Sequence, residues 1–426
     1  MDRPRPVGRQ PQSSEITQCS SATVAPQKGL RMTNPTATND TKCEATAEGF
    51  FLRITVANLR KALNAVACSS SYLPILNMVK FDGATITGTD CDVRVTADME
   101  VIEVRGKALA PRSELSSLAD NLRPETIITF KSHAKGIEAD IDGGSYILPN
   151  CDLADFPEFP FVASHYYDNL PKQFTKAIRF ALGSVSHDDA RFYLQGVCIH
   201  KDHEGAFLAV GSNGHILSAH PLGIDLPDLF GSIIPTEIAR RICSLPVPQR
   251  IEISEDKKLA FYYSGLTIHA RLIDAPYPDW TRLPHRITEA HKAVTVERKP
   301  YLKRLLRMNA VIKTSEDNTH IWLTSQPNAL ELTGTNREGF EATEILAVSA
   351  GSADLSCKPR YNAHYLIHLA HSTQGQTITI NIPNDFEAAI IHGEGDGFHL
   401  LMPVNPKKAK EDRKKKQQRE AGKGGA

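Results

Sequence analysis

The sequence carries few of the marks of an enzyme. It has no G-x-S-x-G nucleophile turn and no G-x-x-x-x-G-K-[ST] phosphate loop. Ser186, His187 and Asp188 adjoin in the chain, an arrangement that builds no catalytic triad. Its eight cysteines include no C-x-x-C pair, which argues for a reduced, cytoplasmic protein. No apolar run reaches the ~18 residues of a membrane span, and no signal-peptide pattern opens the chain. Excess charge is missing too: 49 Lys and Arg stand against 49 Asp and Glu. A global basic signature of nucleic-acid binding is therefore absent. We expect no catalysis, no cofactor, no metal and no membrane contact.

What is present is ordinary in amount and unusual in arrangement. The 426 residues are 41% hydrophobic and 23% charged, enough for about two to four globular domains. Residues 1–50 are rich in Pro, Ser, Thr, Gln and Asn, and are expected to be a disordered extension. Residues 406–426 form a second, basic tail. Nine Lys/Arg and three Asp/Glu fall there, a local charge of +6 that leaves −6 on the rest.

Three runs between these segments look alike. They are Ala84-Thr85-Ile86-Thr87-Gly88-Thr89-Asp90, Phe207-Leu208-Ala209-Val210-Gly211-Ser212-Asn213 and Leu330-Glu331-Leu332-Thr333-Gly334-Thr335-Asn336. Gly88 to Gly211 is 123 residues, and Gly211 to Gly334 is again 123. Upstream of each lies a helical stripe: Leu59, Leu63 and Val66; Phe174, Ile178 and Leu182; Leu302, Leu305, Leu306 and Ala310. A strand is expected after each, over 73–81, 194–200 and 320–324. Downstream come second helices over 112–122, 235–245 and 363–373, then short alternating segments. The pattern predicts an α+β fold of three similar domains, each two helices on antiparallel sheet with six to eight strands. The domains are expected over 51–164, 165–288 and 289–405.

Positive charge gathers on the helices. The six expected helices sum to +11, so the rest of the body outside the tail is −17. Lys172, Lys176 and Arg179 share one helical face, as do Lys299, Lys303 and Arg307. Together with Arg60, Arg112 and Arg240, these residues are expected to meet phosphates without reading sequence. Twelve helices from two chains, roughly 9 Å apart, would make a circle about 35 Å across. A duplex roughly 20 Å wide fits inside it. Closure implies a symmetric dimer joined head to tail.

Several segments resemble a known family. Leu73-Pro74-Ile75-Leu76, Gly88-Thr89-Asp90 and Asp155-Phe156-Pro157 are similar to the first domain of the bacterial sliding clamp, the β subunit of DNA polymerase III. Asp189-Ala190-Arg191-Phe192-Tyr193-Leu194-Gln195-Gly196 resembles that family's D-x-R-Y-Y-L-N-G, and Ser212-Asn213-Gly214-His215-Ile216-Leu217 its T-D-G-H-R-L. Tyr277-Pro278-Asp279-Trp280-Thr281-Arg282-Leu283-Pro284 and Leu400-Leu401-Met402-Pro403-Val404 resemble its later motifs. The resemblance implies a ring-forming clamp fold, a head-to-tail homodimer around duplex DNA, and docking of polymerase and clamp loader through short linear peptides. It implies a peptide pocket lined by Arg191, Tyr193, Leu194, Ser212, Gly214, His215, Leu217, Pro278, Arg282, Leu283, Leu400, Met402 and Pro403. Three positions depart from the family: Ile216 replaces an Arg, Asp188 a Gln, and Ser70 stands where Arg can occur. Asp188 is expected to weaken phosphate binding nearby.

Rival chemistry is thin. His364, His368 and His371 are spaced i, i+4, i+7, which can hold zinc, but no fourth ligand is near. They read as a polar helix face with pH-sensitive phosphate contacts. Asp90-Cys91-Asp92 sits in the repeated turn, whose other copies lack a second carboxylate. The alternative to a clamp is a three-domain adaptor or peptide-binding scaffold with no DNA role.

Overall fold

One order of elements occurs three times in the computed structural model, which describes residues 49–68, 73–283, 286–313, 319–336, 339–349, 352 and 354–404. The first repeat runs β1 (Phe51–Thr55), α1 (Val56–Ala65), β2 (Met78–Asp82), β3 (Thr85–Thr89) and β4 (Val93–Asp98). It continues through β5 (Glu103–Arg105), β6 (Lys107–Pro111), α2 (Arg112–Asp120), β7 (Ile127–His133), β8 (Gly136–Ile141) and β9 (Gly144–Leu148). The second comprises β10 (His165–Asp168), α3 (Lys172–Leu182), β11 (Gly196–Lys201), β12 (Phe207–Ser212) and β13 (Ile216–Pro221). It ends with β14 (Ile233–Pro235), α4 (Thr236–Ser244), β15 (Arg250–Ile253), β16 (Lys258–Tyr263) and β17 (Leu266–Arg271). The third holds β18 (Lys292–Glu297), α5 (Arg298–Ile312), β19 (His320–Gln326), β20 (Ala329–Thr335) and β21 (Glu341–Ala347). Last come β22 (Arg360–Asn362), α6 (Ala363–Ser372), β23 (Thr377–Ile382), β24 (Ala389–His392) and β25 (Phe398–Leu401). The class is α+β, as expected. Apart from Gly49 and Phe50, the terminal segments expected to be disordered lie outside the described residues, as does Ser70.

Each repeat supplies two half-sheets, four-stranded in every case but one, which the short β5 makes five-stranded. Two of these fuse into an eight-stranded sheet between repeats one and two, β10-β15-β16-β17-β4-β3-β2-β6. Two more fuse between repeats two and three, β14-β11-β12-β13-β25-β24-β23-β18. The joints follow one rule: the last strand of a repeat pairs antiparallel with the third strand after the first helix of the repeat before it. Thus β17 joins β4, and β25 joins β13. Two half-sheets are left single, β5-β1-β7-β8-β9 and β21-β20-β19-β22.

The 123-residue step has a steric cause. A Cβ on Gly88 would collide with the carbonyl oxygen of Val66, just past α1, and one on Gly211 with that of Ala181 in α3. At Gly334 it would meet first the side-chain tip of Ile312, at the end of α5. Each glycine lets a strand pass directly under the end of its repeat's first helix.

Several local expectations are corrected. The strand expected from 73 begins at Met78, because Pro74–Asn77 form a 3-10 turn with Leu76 N–H donating to Leu73 O at 3.0 Å. Pro74 presets φ for that turn. Likewise Asp189–Leu194 is a 3-10 segment, and β11 starts only at Gly196. On α5 the buried stripe is Tyr301, Leu305, Met308 and Ile312, while Leu306 is 50% exposed and Ala310 is exposed. The repeats hold nine, eight and eight strands; the short β5 takes the first above the expected six to eight.

Replacing Gly88 or Gly211 with Ala should lower stability by about 1–3 kcal/mol, because backbone must move. Gly334→Ala should cost less, since Ile312 can rotate away. Urea unfolding of the three variants checks the order.

Candidate functional site

The six helices form one continuous row, each joined to the next by a named contact. Arg60 on α1 donates to Ala119 O at 3.1 Å and to Leu122 O at 2.8 Å, at the end of α2. Arg112 on α2 answers with a 3.3 Å bond to Leu63 O. Arg241 on α4 reaches across the repeat boundary to Ala67 O at 2.7 Å and to Ala65 O, at the end of α1. Arg179 on α3 bonds Cys243 O on α4. Gly183, which caps α3, lies against the His368 ring of α6. Arg298 on α5 donates to Gly375 O at 2.8 Å, just past α6. Cations on helix C-terminal carbonyls satisfy orphan acceptors and oppose the helix dipole.

These bonds sort the residues expected to face DNA. Arg60, Arg112 and Arg179 have guanidinium groups engaged by backbone. Arg307 grips Glu344 of β21 with two bonds, 3.0 and 2.8 Å, and Arg240 pairs with Glu237 at 2.6 Å. Lys172, Lys299 and Lys303 are exposed and Lys176 half-buried. Among the described residues these four lysines make no ion pair. Asp188 does not stand as a bare charge. Arg191 Nε donates to it at 2.9 Å and Ala190 N–H at 3.0 Å, and the arginine bond holds its carboxyl below the usual range.

The residues expected to line a peptide pocket gather on the β13–β25 joint. Leu217 and Leu400 are direct cross-strand partners, 3% and 1% exposed, in a cluster with Leu208, Val210, Trp280 and Ile390. Leu194 is buried as well, while Met402 and Leu283 are exposed apolar residues. Ser212 Oγ donates to Ile216 O at 2.8 Å and shapes the turn carrying Gly214 and His215. Met402 N–H donates to His215 O at 3.0 Å, tying the exit of β25 to that turn. Gly214 has φ of +85°, and its close neighbour is Arg191, whose Nη1 bonds Asn213 O at 2.9 Å. Arg282 projects into solvent, paired with Asp279 at 2.8 Å, beside exposed Pro278; Pro403 and Tyr193 are half-buried. Ile216, where the family has Arg, is 4% exposed and packs into the core of repeat three.

Three neighbours were missed by sequence. Tyr365 of α6 stacks on His215, centroids 5.8 Å apart. Phe192 is 53% exposed beside Tyr193. Asn213 Oδ1 accepts from the N–H groups of His215 and Ile216. Phe192 and Asn213 stood inside quoted motifs; Tyr365 carried no signal, since its helix is brought to the turn only by the fold. A cleft of about 620 Å³ at the other joint, lined in part by Asp90, Asp92, His187, Asp189, Arg240 and Arg271, also went unnoticed.

Directly beneath the pocket residues runs a buried polar chain. Ser218 Oγ lies 2.5 Å from Ser184 Oγ and 2.7 Å from His399 Nδ1, while His399 Nε2 is 3.5 Å from Ser372 Oγ. Phe180 stacks on the His399 ring at 4.3 Å. Full burial, then the nearby His368 and His220, push the His399 pKa down to about 3. Burial lowers His220 and His368 as well. The expectation that His368 shares a polar face with His364 and His371 is thereby corrected: those two are exposed, whereas His368 packs against Gly183. Among the described residues no cluster of His, Cys, Asp or Glu is arranged to hold a metal ion.

No family model matches the chain. It is similar to the β sliding clamp of Escherichia coli strain K12, with 23% identity over 350 residues, 78% of this chain and 92% of that protein. It is also similar to the β sliding clamp of Caulobacter vibrioides strain NA1000, 23% identical over 377 residues, 83% and 99% of the two chains. The DNA polymerase sliding clamp of Pseudomonas aeruginosa superimposes with a TM-score of 0.75 at 20% identity, covering 84% of this chain and all of that one. The fold is the sliding-clamp fold. The clamp likeness read from the motifs therefore extends along the folded length. Among the described residues no helix is long and apolar enough to cross a membrane.

The buried histidines make the fold acid-sensitive. They are held neutral in the fold, whereas the unfolded chain protonates near pH 6.5, so stability is lost as pH falls from about 6.5 toward 3. His399 alone should remove about 2 kcal/mol at pH 5 relative to pH 7.5. Melting curves across this range check it, and His399→Gln should flatten the slope.

Proposed function

We propose that this chain is a DNA sliding clamp: two copies close head to tail around duplex DNA and tether a polymerase and other proteins. The observation that carries the reading is the pair of unfilled half-sheets. By the joint rule, β9 needs the third strand of a preceding repeat, and β21 needs the last strand of a following one. A second copy supplies both. The two edges carry half-exposed apolar residues, Tyr146 and Ile147 on β9, Ile345 on β21 and Phe340 just before it. Such edges call for a partner strand. Two chains give six repeats and twelve helices; the same roughly 9 Å spacing with three chains would leave a hole about 50 Å across, loose on DNA.

Within the ring, Lys172, Lys176, Lys299 and Lys303 are the phosphate contacts, with Arg240 as a weaker one. The chain acts as an accessory subunit with no chemistry of its own. The β13–β25 joint takes a short linear peptide: Met402, Leu283 and Phe192 receive its apolar anchors, with Arg191, His215 and Tyr365 along one side. A clamp loader and polymerase would share this slot.

Topological retention tests the ring. Loaded on a nicked circular duplex, the protein should stay bound through ~0.5 M NaCl and leave when the circle is cut, whereas simple phosphate binding falls steeply with salt on both forms. Salt-driven loss from the intact circle would sink the reading. Ile147→Asp or Ile345→Asp should convert a sedimenting dimer to monomer while the melting curve of the monomer keeps its cooperativity.

A further inference from the structure

The joint between repeats one and two rebuilds one wall of the β13–β25 slot. Asp92 and His215 stand 123 residues apart, the step of the repeat. In both copies the exit of the joining strand bonds that residue: Arg271 N–H donates to Asp92 O at 2.9 Å, as Met402 N–H does to His215 O. Inside the turn, Thr89 Oγ1 donates to Val93 O at 2.8 Å, the bond that Ser212 Oγ makes to Ile216 O. Asp90 Oδ1 accepts from the N–H groups of Asp92 and Val93 at 3.2 and 2.8 Å, as Asn213 Oδ1 does one repeat on. Cys91 takes φ of +76° where Gly214 takes +85°. The backbone is the same, but the charge is not. Asp90 stands for Asn213, Asp92 for His215 and Arg271 for Met402.

This turn opens on the cleft of about 620 Å³. That volume lies in the range of sites that enclose a ligand. Val93, Ile238, Leu272 and Ile273 give the cleft apolar lining. Asp90, Asp92, Asp189 and Glu237 bring four carboxylates against Arg240 and Arg271, which leaves −2 with His187 counted as neutral. Both arginines are committed. Arg240 pairs with Glu237 at 2.6 Å, and Arg271 Nε donates to Cys91 O at 3.2 Å with Asp92 3.8 Å away. Asp90 and Asp189 make no ion pair among the described residues; their bonds come from the turn's N–H groups and, at 2.9 Å, from the Gln195 amide.

We propose that this joint holds a second docking site, which takes a short linear peptide carrying an apolar anchor beside Lys or Arg. The proposal extends the slot reading to the other joint. The apolar lining receives the anchor, and the carboxylates of Asp90 and Asp189 pair with the flanking cations. The Asp189–Leu194 segment separates the two sites: Asp188 bonds Arg191 on the slot side, while Asp189 lines the cleft.

Two labelled peptides with the same Leu and Phe anchors, one flanked by four Lys and one by four Ser, test it by fluorescence anisotropy on the full chain. The deciding variant joins Asp90→Asn to Asp189→Asn. Asn213 makes the same turn bonds one repeat on, and an amide oxygen can still accept from Gln195, so the fold is kept. At low salt this variant should bind the Lys peptide about fivefold more weakly and the Ser peptide unchanged, and the difference should close at high salt. Met402→Ala should do the reverse, weakening the Ser peptide and leaving the Lys peptide within about twofold. A Lys peptide that does not bind, that ignores the two carboxylate changes, or that is lost on Met402→Ala would overturn the proposal. So would equal binding of a four-Lys peptide without anchors, since the cleft would then be a charged surface only. If the Ser peptide is unaffected by Met402→Ala, the slot reading falls, while the Lys peptide still tests the cleft.

Discussion

An unpaired strand edge is a row of backbone donors and acceptors without partners, and the architecture is organised around filling such edges. Inside the chain the problem is solved twice by the same joint: Ile268 pairs with Val95 across one boundary, and Leu217 with Leu400 across the other. Each joint converts two four-stranded edges into one eight-stranded sheet, with core on its helix side. The helix row follows from this. Helices packed on a continuous sheet are brought side by side, and the α1–α4 and α3–α6 contacts exist because β4 and β13 have been capped by the next repeat. The two ends are the same problem unsolved within one chain.

The row of helices also divides its cations by chemistry. Five arginines, Arg60, Arg112, Arg179, Arg241 and Arg298, lie on helix-terminal carbonyls. A planar guanidinium can bond two carbonyls at once and tolerates partial burial. Among the described residues, the cations of α3 and α5 held by neither a carboxylate nor a backbone carbonyl are lysines, flexible point charges of the kind that suits contact with phosphates without reading them.

Much of the fold was legible because its causes are local or repetitive. The glycine step survives in sequence since a Cβ at Gly88 or Gly211 has nowhere to go. Helices were placed within three residues because their apolar periodicity is strong. What could not be read depends on contacts far apart in the chain. Nothing local marks Leu217 as partner of Leu400, so core floor and exposed surface looked alike in the motif. On α5 the apolar positions permit two stripes, and packing selected Tyr301, Leu305, Met308 and Ile312 over Leu306 and Ala310. Net charge on a helix was countable, yet which arginines were already engaged was not, because their acceptors are backbone carbonyls without a sequence signature.

The departures from the family acquire one physical explanation. Ile216 and Asp188 flank the same turn. With Ile216 turned into the core of repeat three, the joint gains apolar packing and the turn loses an outward cation. Arg191 remains, but Asp188 and Asn213 O hold it in place, so its charge is partly neutralised and its fork is directed at the turn. Both changes make the surface around this turn less cationic while leaving the buried apolar cluster of the joint intact. On the other face of the same strands the Ser184–Ser218–His399 chain sets hydrogen bonds around an imidazole that burial keeps neutral. Ser218 and His399 are themselves cross-strand partners, adjacent in register to Leu217 and Leu400. The two faces of the joint therefore draw on the same two strands, so a change that loosens one must be felt by the other.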